Sequence, residues 1–124
     1  MWSGFVTLLA SSALWTAAAL AQESVRIVVQ SSTLAGFRHH AATELWSELR
    51  VGDSLELTRE ADNPHDANAV ALAWRGHKLG YVPRRDNAVL AWSLDRGDKL
   101  QARISRLTQH PNPARRIEFE VYAQ

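Results

Sequence analysis

A strand-dominated α+β domain is the fold this chain predicts, on three observations. Apolar residues recur with period two in most of its patterned segments, glycines punctuate those segments at turn positions, and only two short stretches carry helical spacing. The alternation begins at Val25, Ile27 and Val29, set against Arg26, Val28 and Gln30, which predicts a half-buried strand. Ala41 to Leu49 is the first helix candidate, with Leu45, Trp46 and Leu49 on one face and Gly52 beyond. After Gly52-Asp53, Leu55 and Leu57 alternate with Glu56 and Thr58 in a strand entered from a turn. Val70, Leu72 and Trp74 share one face of the next strand, while Ala69, Ala71 and Ala73 make the other small enough for close packing. Arg75-Gly76 then turns the chain into His77 to Val82 as a hairpin.

Asp86 is placed to N-cap a second helix over Asn87 to Asp95, with Leu90 and Leu94 at helical spacing and Gly97 as its stop. Leu100, Ala102 and Ile104 form a further strand, His110-Pro111-Asn112-Pro113 a loop, and Ile117, Phe119 and Val121 the last strand. Val70, Leu72, Tyr81, Ile104, Phe119 and Val121 are the expected core, with Trp74 at least partly covered.

The chain of 124 residues is expected to divide into a leader, 1–21, and a single domain, 22–124. Residues 1–21 carry no charged side chain and end in Ala19-Leu20-Ala21, small residues where a signal peptidase needs them. The expectation is a cleaved signal and a periplasmic domain without a stable membrane partner; the alternative is a membrane anchor over residues 2–21. Without cysteine, disulfides, thiolate zinc sites and cysteine nucleophiles are excluded. With 14 basic and 13 acidic residues, the chain lacks the strongly basic footprint common in duplex binders.

The densest chemistry lies in Asn63-Pro64-His65-Asp66-Ala67-Asn68. Turn formation accounts for part of it: Asn63 before Pro64 sets an extended bend, Asp66 accepts backbone N–H groups, and Asn68 serves a strand edge. His65 and Asp66 together exceed what one turn requires. Arg38, followed by His39-His40, reads either as a solvated strand end or as a phosphate contact. Arg84-Arg85 reads either as a helix-flanking pair or as a phosphate clamp, since guanidinium groups bind phosphate oxygens bidentately.

These blocks, with Leu34-Ala35-Gly36-Phe37-Arg38 upstream and Gly80-Tyr81-Val82-Pro83-Arg84 downstream, resemble the HIRAN domain from Val28 to Leu107. The resemblance implies a small OB-like β-barrel with one or two short helices, and a pocket that takes the 3′ end of single-stranded DNA. It implies that Asp66 accepts the terminal hydroxyl, that Arg38 contacts phosphate, and that His39 and His65 stand where eukaryotic members tend to place stacking tyrosines. Imidazole is a smaller platform than phenol, so less stacking is expected here. Enzymatic activity in the family belongs to fused partner domains, and this chain has no G-x-S-x-G, no Gly-rich phosphate loop and no nucleophile–base pair.

The resulting expectation is a monomeric, non-catalytic, cofactor-free module whose partner is a single-stranded nucleic-acid end, bound through Arg38, His39, Asn63, His65, Asp66, Asn68, Arg84 and Arg85. Two alternatives stand beside it. One is an exported interaction module that uses the same pocket for a peptide terminus or glycan. The other is a zinc-dependent hydrolase of acid anhydride or phosphodiester bonds, with ligands among His39, His65 and Asp66 and with His40 and His77 nearby, although no spacing matches a ligand motif. For export, the intact mass of the protein from its host should lack Met1 to Ala21, and Ala21→Arg should block processing; a full-length cytoplasmic chain would overturn this.

Overall fold

The computed structural model describes residues 26–123, so the expectations for the leader and Val25 lie outside the described residues. In chain order these residues form β1 (Ile27–Thr33), a 3₁₀ turn (Phe37–His39), α1 (Ala42–Leu45), a second 3₁₀ turn (Trp46–Glu48) and β2 (Ser54–Glu60). There follow β3 (Ala69–Trp74), β4 (His77–Tyr81), α2 (Arg84–Asp95), β5 (Leu100–Leu107), a 3₁₀ turn (Pro113–Arg115) and β6 (Ile117–Ala123). All six strands join one antiparallel sheet in the order β1-β6-β5-β2-β3-β4. The sheet is not closed, but the chain just after β1 reaches the opposite edge: Ala35 and Tyr81 exchange both backbone hydrogen bonds, each 2.9 Å. The strand-dominated α+β class is therefore the observed one, with an OB-like curl held at a single bridge.

Gly80 makes that bridge possible. A Cβ at this position would collide with the Ala35 carbonyl oxygen and crowd the Leu34 side chain. The β3–β4 hairpin turns through Arg75 and Gly76, both at positive φ (48° and 83°), as a two-residue turn matched to strand twist requires.

The core is the one the alternation predicts, with one exception. Val70, Leu72, Ile104, Phe119 and Val121 are fully buried, joined by Leu79, Leu90 and Ile117. Trp74 is buried too, and its indole N–H donates to Asp53 Oδ2 at 3.0 Å. Tyr81 is only half-buried, because its hydroxyl enters a polar network with Glu60 and Lys78.

Other elements differ from expectation. Ile27 and Val29 are 64 % and 51 % exposed rather than half-buried, since β1 is an edge strand with a register irregularity between Val28 and Gln30. The helix expected over Ala41 to Leu49 breaks into α1 and a tighter 3₁₀ turn, which sets the Trp46 ring edge-on to Phe37 at 5.8 Å. The helix expected from Asn87 begins instead at Arg84, after an extended Pro83, without a side-chain cap. Asp86 is drawn away from capping: its carboxylate accepts from Ser32 Oγ at 2.9 Å, fastening α2 to β1. Among the described residues no helix is long and apolar enough to cross a membrane.

Leu72→Ala should cost about 2–5 kcal/mol, the range for emptying a well-packed leucine site. Gly80→Ala, which only adds a methyl group, should cost about 1–3 kcal/mol through overpacking at the bridge. Chemical denaturation measures both, and a neutral Gly80→Ala would show that the bridge does not constrain the fold.

Candidate nucleic-acid interface

The loop between β2 and β3 is built by its own side chains. Asn63 Oδ1 accepts the His65 N–H at 2.8 Å, and Asp66 Oδ1 accepts the Asn68 N–H at 2.9 Å, two consecutive side-chain turns flanking Pro64. Asn63 also donates from Nδ2 to Glu60 Oε1 at 3.1 Å, which ties the loop to the end of β2. The remaining oxygen of Asp66 accepts from Asn87 Nδ2 at 2.7 Å, and Asn87, 2 % exposed, is the buried polar side chain of α2. Thus Asp66 is held from two elements, yet its side chain stays 22 % exposed, with each oxygen keeping a lone pair to offer.

Beside this loop opens a cleft of about 540 Å³. The turn after β1 supplies His39 and His40, the loop supplies Asn63, His65 and Asp66, and the end of β4 supplies Tyr81 and then Arg84. Ala35, Ala69 and Val82 add apolar wall. Five of the sequence-predicted residues, His39, Asn63, His65, Asp66 and Arg84, are therefore gathered from three distant segments. Arg84 lies across the mouth, its Nη2 donating to the His65 carbonyl and its Nε 3.8 Å from Asp66 Oδ2.

The other three are placed differently. Arg38 lines a neighbouring depression of about 280 Å³ with Phe37 and Asn112, and His39 borders both hollows. Arg85 turns toward Thr33 Oγ1 (3.4 Å) and Asp86 (3.6 Å), outside the cleft lining. Asn68 contributes its backbone N–H to Asp66 and is otherwise exposed. Among the described residues no three His, Asp or Glu side chains gather as a metal-holding group, although His39, His65 and Asp66 share the cleft.

Three further contributors were not among the expected nucleic-acid-binding residues: His40, Tyr81 and Asn87. His40 packs edge-on against Tyr81 at 5.4 Å, giving the cleft a second pair of rings beside His39 and His65. Tyr81, a residue of the expected core, lines the cleft instead. Its hydroxyl donates to Glu60 Oε1 at 2.9 Å and accepts from Lys78 Nζ at 3.1 Å. Asn87 did leave a signal: it is the polar member of the stripe Asn87, Leu90, Ala91 that α2 buries.

Charge states follow from these contacts. The Asn68 N–H is the main influence holding the Asp66 carboxyl below its usual range, with Asn87 and Arg84 adding to it against partial burial. Burial, followed by the nearby Lys78 and His39, lowers His40, favouring neutral imidazole. The Lys78 hydrogen bond, 2.7 Å to Oε2, is what chiefly pulls Glu60 down, and the same bond raises Lys78.

Glu60 is thus ionised more readily folded than unfolded. Its stabilising contribution is complete above its ordinary value of 4.5 and lost as pH falls through the lower folded value. Lys78 behaves oppositely: its share is complete below 10.5 and lost as pH rises through the higher folded value. Glu60→Gln should lower stability at neutral pH by about 1 kcal/mol at most, because Lys78 is 41 % exposed, and should converge with the parent in acid. Melting curves across pH test this; a constant offset down to strong acid would show that charge is not the cause.

The chain has relatives that share this architecture. A protein from Lactobacillus plantarum superposes with a TM-score of 0.70 and 28 % identity, covering 80 % of this chain and 95 % of that one. The HIRAN domain of human HLTF superposes with a TM-score of 0.57 and 14 % identity, covering 82 % of this chain and 83 % of that one, a likeness of fold. No curated protein matches the chain. The HIRAN domain family itself matches residues 27–124, through β6 and beyond the blocks that first suggested it, and the chain belongs to that family.

Proposed function

We propose that this domain binds single-stranded nucleic acid by its 3′ end, without catalysing a reaction. Membership of the HIRAN family, known as a DNA-binding module, fits a nucleic-acid-binding function. The observation that carries the finer reading is an ionised Asp66 held from two sides at the wall of a ring-lined cleft, with Arg84 beside it. A free 3′-hydroxyl is a donor that an internal phosphodiester lacks, so a carboxylate with spare lone pairs selects a strand end.

In this reading His39 and His65 stack on the last bases, where aromatic platforms contribute about 1–3 kcal/mol per base and imidazole the lower part of that. Arg84 holds a phosphate at the mouth, and Arg38 takes the backbone where it leaves over His39 into the neighbouring depression. Asn63 and Asn68 shape the loop, and Arg85 adds positive charge nearby. With a net charge of only +1, the salt dependence of binding should be shallow.

An oligonucleotide ending in a 3′-hydroxyl should bind more tightly than the same strand ending in a 3′-phosphate, which Asp66 repels. Asp66→Ala should erase that preference, and Asp66→Asn, which keeps an acceptor for the Asn68 N–H, should erase it with less disturbance of the loop. Arg84→Ala should weaken both ligands alike, because phosphate contacts position without discriminating. Fluorescence anisotropy at fixed salt reads all of these, and equal binding of the two ends by the parent protein would sink the proposal.

A further inference from the structure

The large apolar side chains that this fold leaves in water are not scattered. Among the described residues, apart from Val51, they lie on two adjacent elements: Ile27, Val28 and Val29 on β1, and Val89 and Trp92 on α2, the last two 69 % and 60 % exposed. A groove of about 550 Å³ runs between them, lined by Val29, Val89, Leu90, Leu100 and Ala123. Arg96, Lys99 and Asp98 stand along it, and Asp98 is engaged by Arg96 Nε at 2.6 Å and by Ser93 Oγ at 2.9 Å. The Arg96 guanidinium lies over the Trp92 ring, 4.1 Å from its centroid. No residue lines both this groove and the cleft of His39 and Asp66. Clustered apolar exposure of this kind marks an interaction surface rather than ordinary surface composition.

The chemistry of the patch indicates one occupant. Aliphatic side chains with an indole at their margin and two cations against one carboxylate match a headgroup boundary, where apolar groups sink, indole lies at the interface and cations meet phosphate. We propose that β1 and α2 form a surface that lies on an anionic lipid bilayer, leaving the cleft free to bind its own ligand.

The chain contains no cysteine, so Val89→Cys carries a single environment-sensitive fluorophore, and Val51→Cys, at a site 61 % exposed outside the patch, serves as control. With the protein as recovered from its host, phosphatidylcholine vesicles containing phosphatidylglycerol should shift the label at position 89 to the blue and expose it to quenching by nitroxide lipids. The label at position 51 should stay in water. Adding Trp92→Ser or Ile27→Asp to the labelled protein should weaken vesicle binding at least about tenfold, while circular dichroism confirms the fold. Three results would overturn the proposal: no shift at position 89, equal response to vesicles without the anionic lipid, or a shift without lipid accompanied by dimers in sedimentation, which would assign the face to a second copy of the chain.

Discussion

The backbone approach between Ala35 and Gly80 is the contact on which the rest of the structure depends. Strands β1 and β4 are the two ends of the sheet, and only where residue 80 lacks a side chain can the chain leaving β1 come close enough to bond with β4. Two 2.9 Å hydrogen bonds result. They convert an open twisted sheet, whose edges would otherwise present unpaired backbone groups, into a curled one with a shared interior. The same bridge carries the geometry of the cleft. It brings the His39–His40 turn from the N-terminal side against Tyr81 and Arg84, and the β2–β3 loop then has a second wall to face.

The loop itself shows how one set of side chains can close turns and still reach longer-range partners. Asn63 and Asp66 each close a turn with a single carbonyl or carboxylate oxygen, which leaves their remaining polar atoms for longer-range partners. Asn63 spends its amide on Glu60, while Asp66 uses its second oxygen to reach the buried Asn87. Donors from two directions keep the carboxylate ionised and oriented without covering it. The Glu60–Lys78–Tyr81 network beside it does for the cleft what Asn87 does for Asp66: it fixes a ring at the wall by satisfying its polar end.

The surface is divided between two kinds of chemistry. Around the cleft, most polar groups are already engaged within the protein, which leaves ring faces, one carboxylate and a few cations facing it. Along β1 and α2, aliphatic side chains and Trp92 remain uncovered although apolar partners were available in the core. Edge position explains why: β1 pairs on one side only, and Gln30 and Ser32 use their inward-facing side chains to bond Asp86 of α2 rather than to pack.

The sequence by itself determined the strand-dominated class, the hairpin at Arg75-Gly76, most of the buried core and the identity of the polar loop as a site candidate. Each is a local property, carried by alternation, by turn residues or by residues adjacent in the chain. The family was legible for the same reason, as short blocks in a given order. What depended on distant partners was decided only by tertiary structure. Asp86 caps nothing because the helix starts two residues before it, and Ser32, more than fifty residues earlier, binds its carboxylate. Tyr81 belongs to the expected core, but Glu60 and Lys78 hold its hydroxyl at the cleft wall. Val29 and Ile27 alternate like buried residues yet face water, since alternation cannot say whether a second layer exists to cover them. The gathering of His39, Asp66 and Arg84 into one cleft rests on a backbone contact at Gly80 whose partner, Ala35, no periodicity identifies.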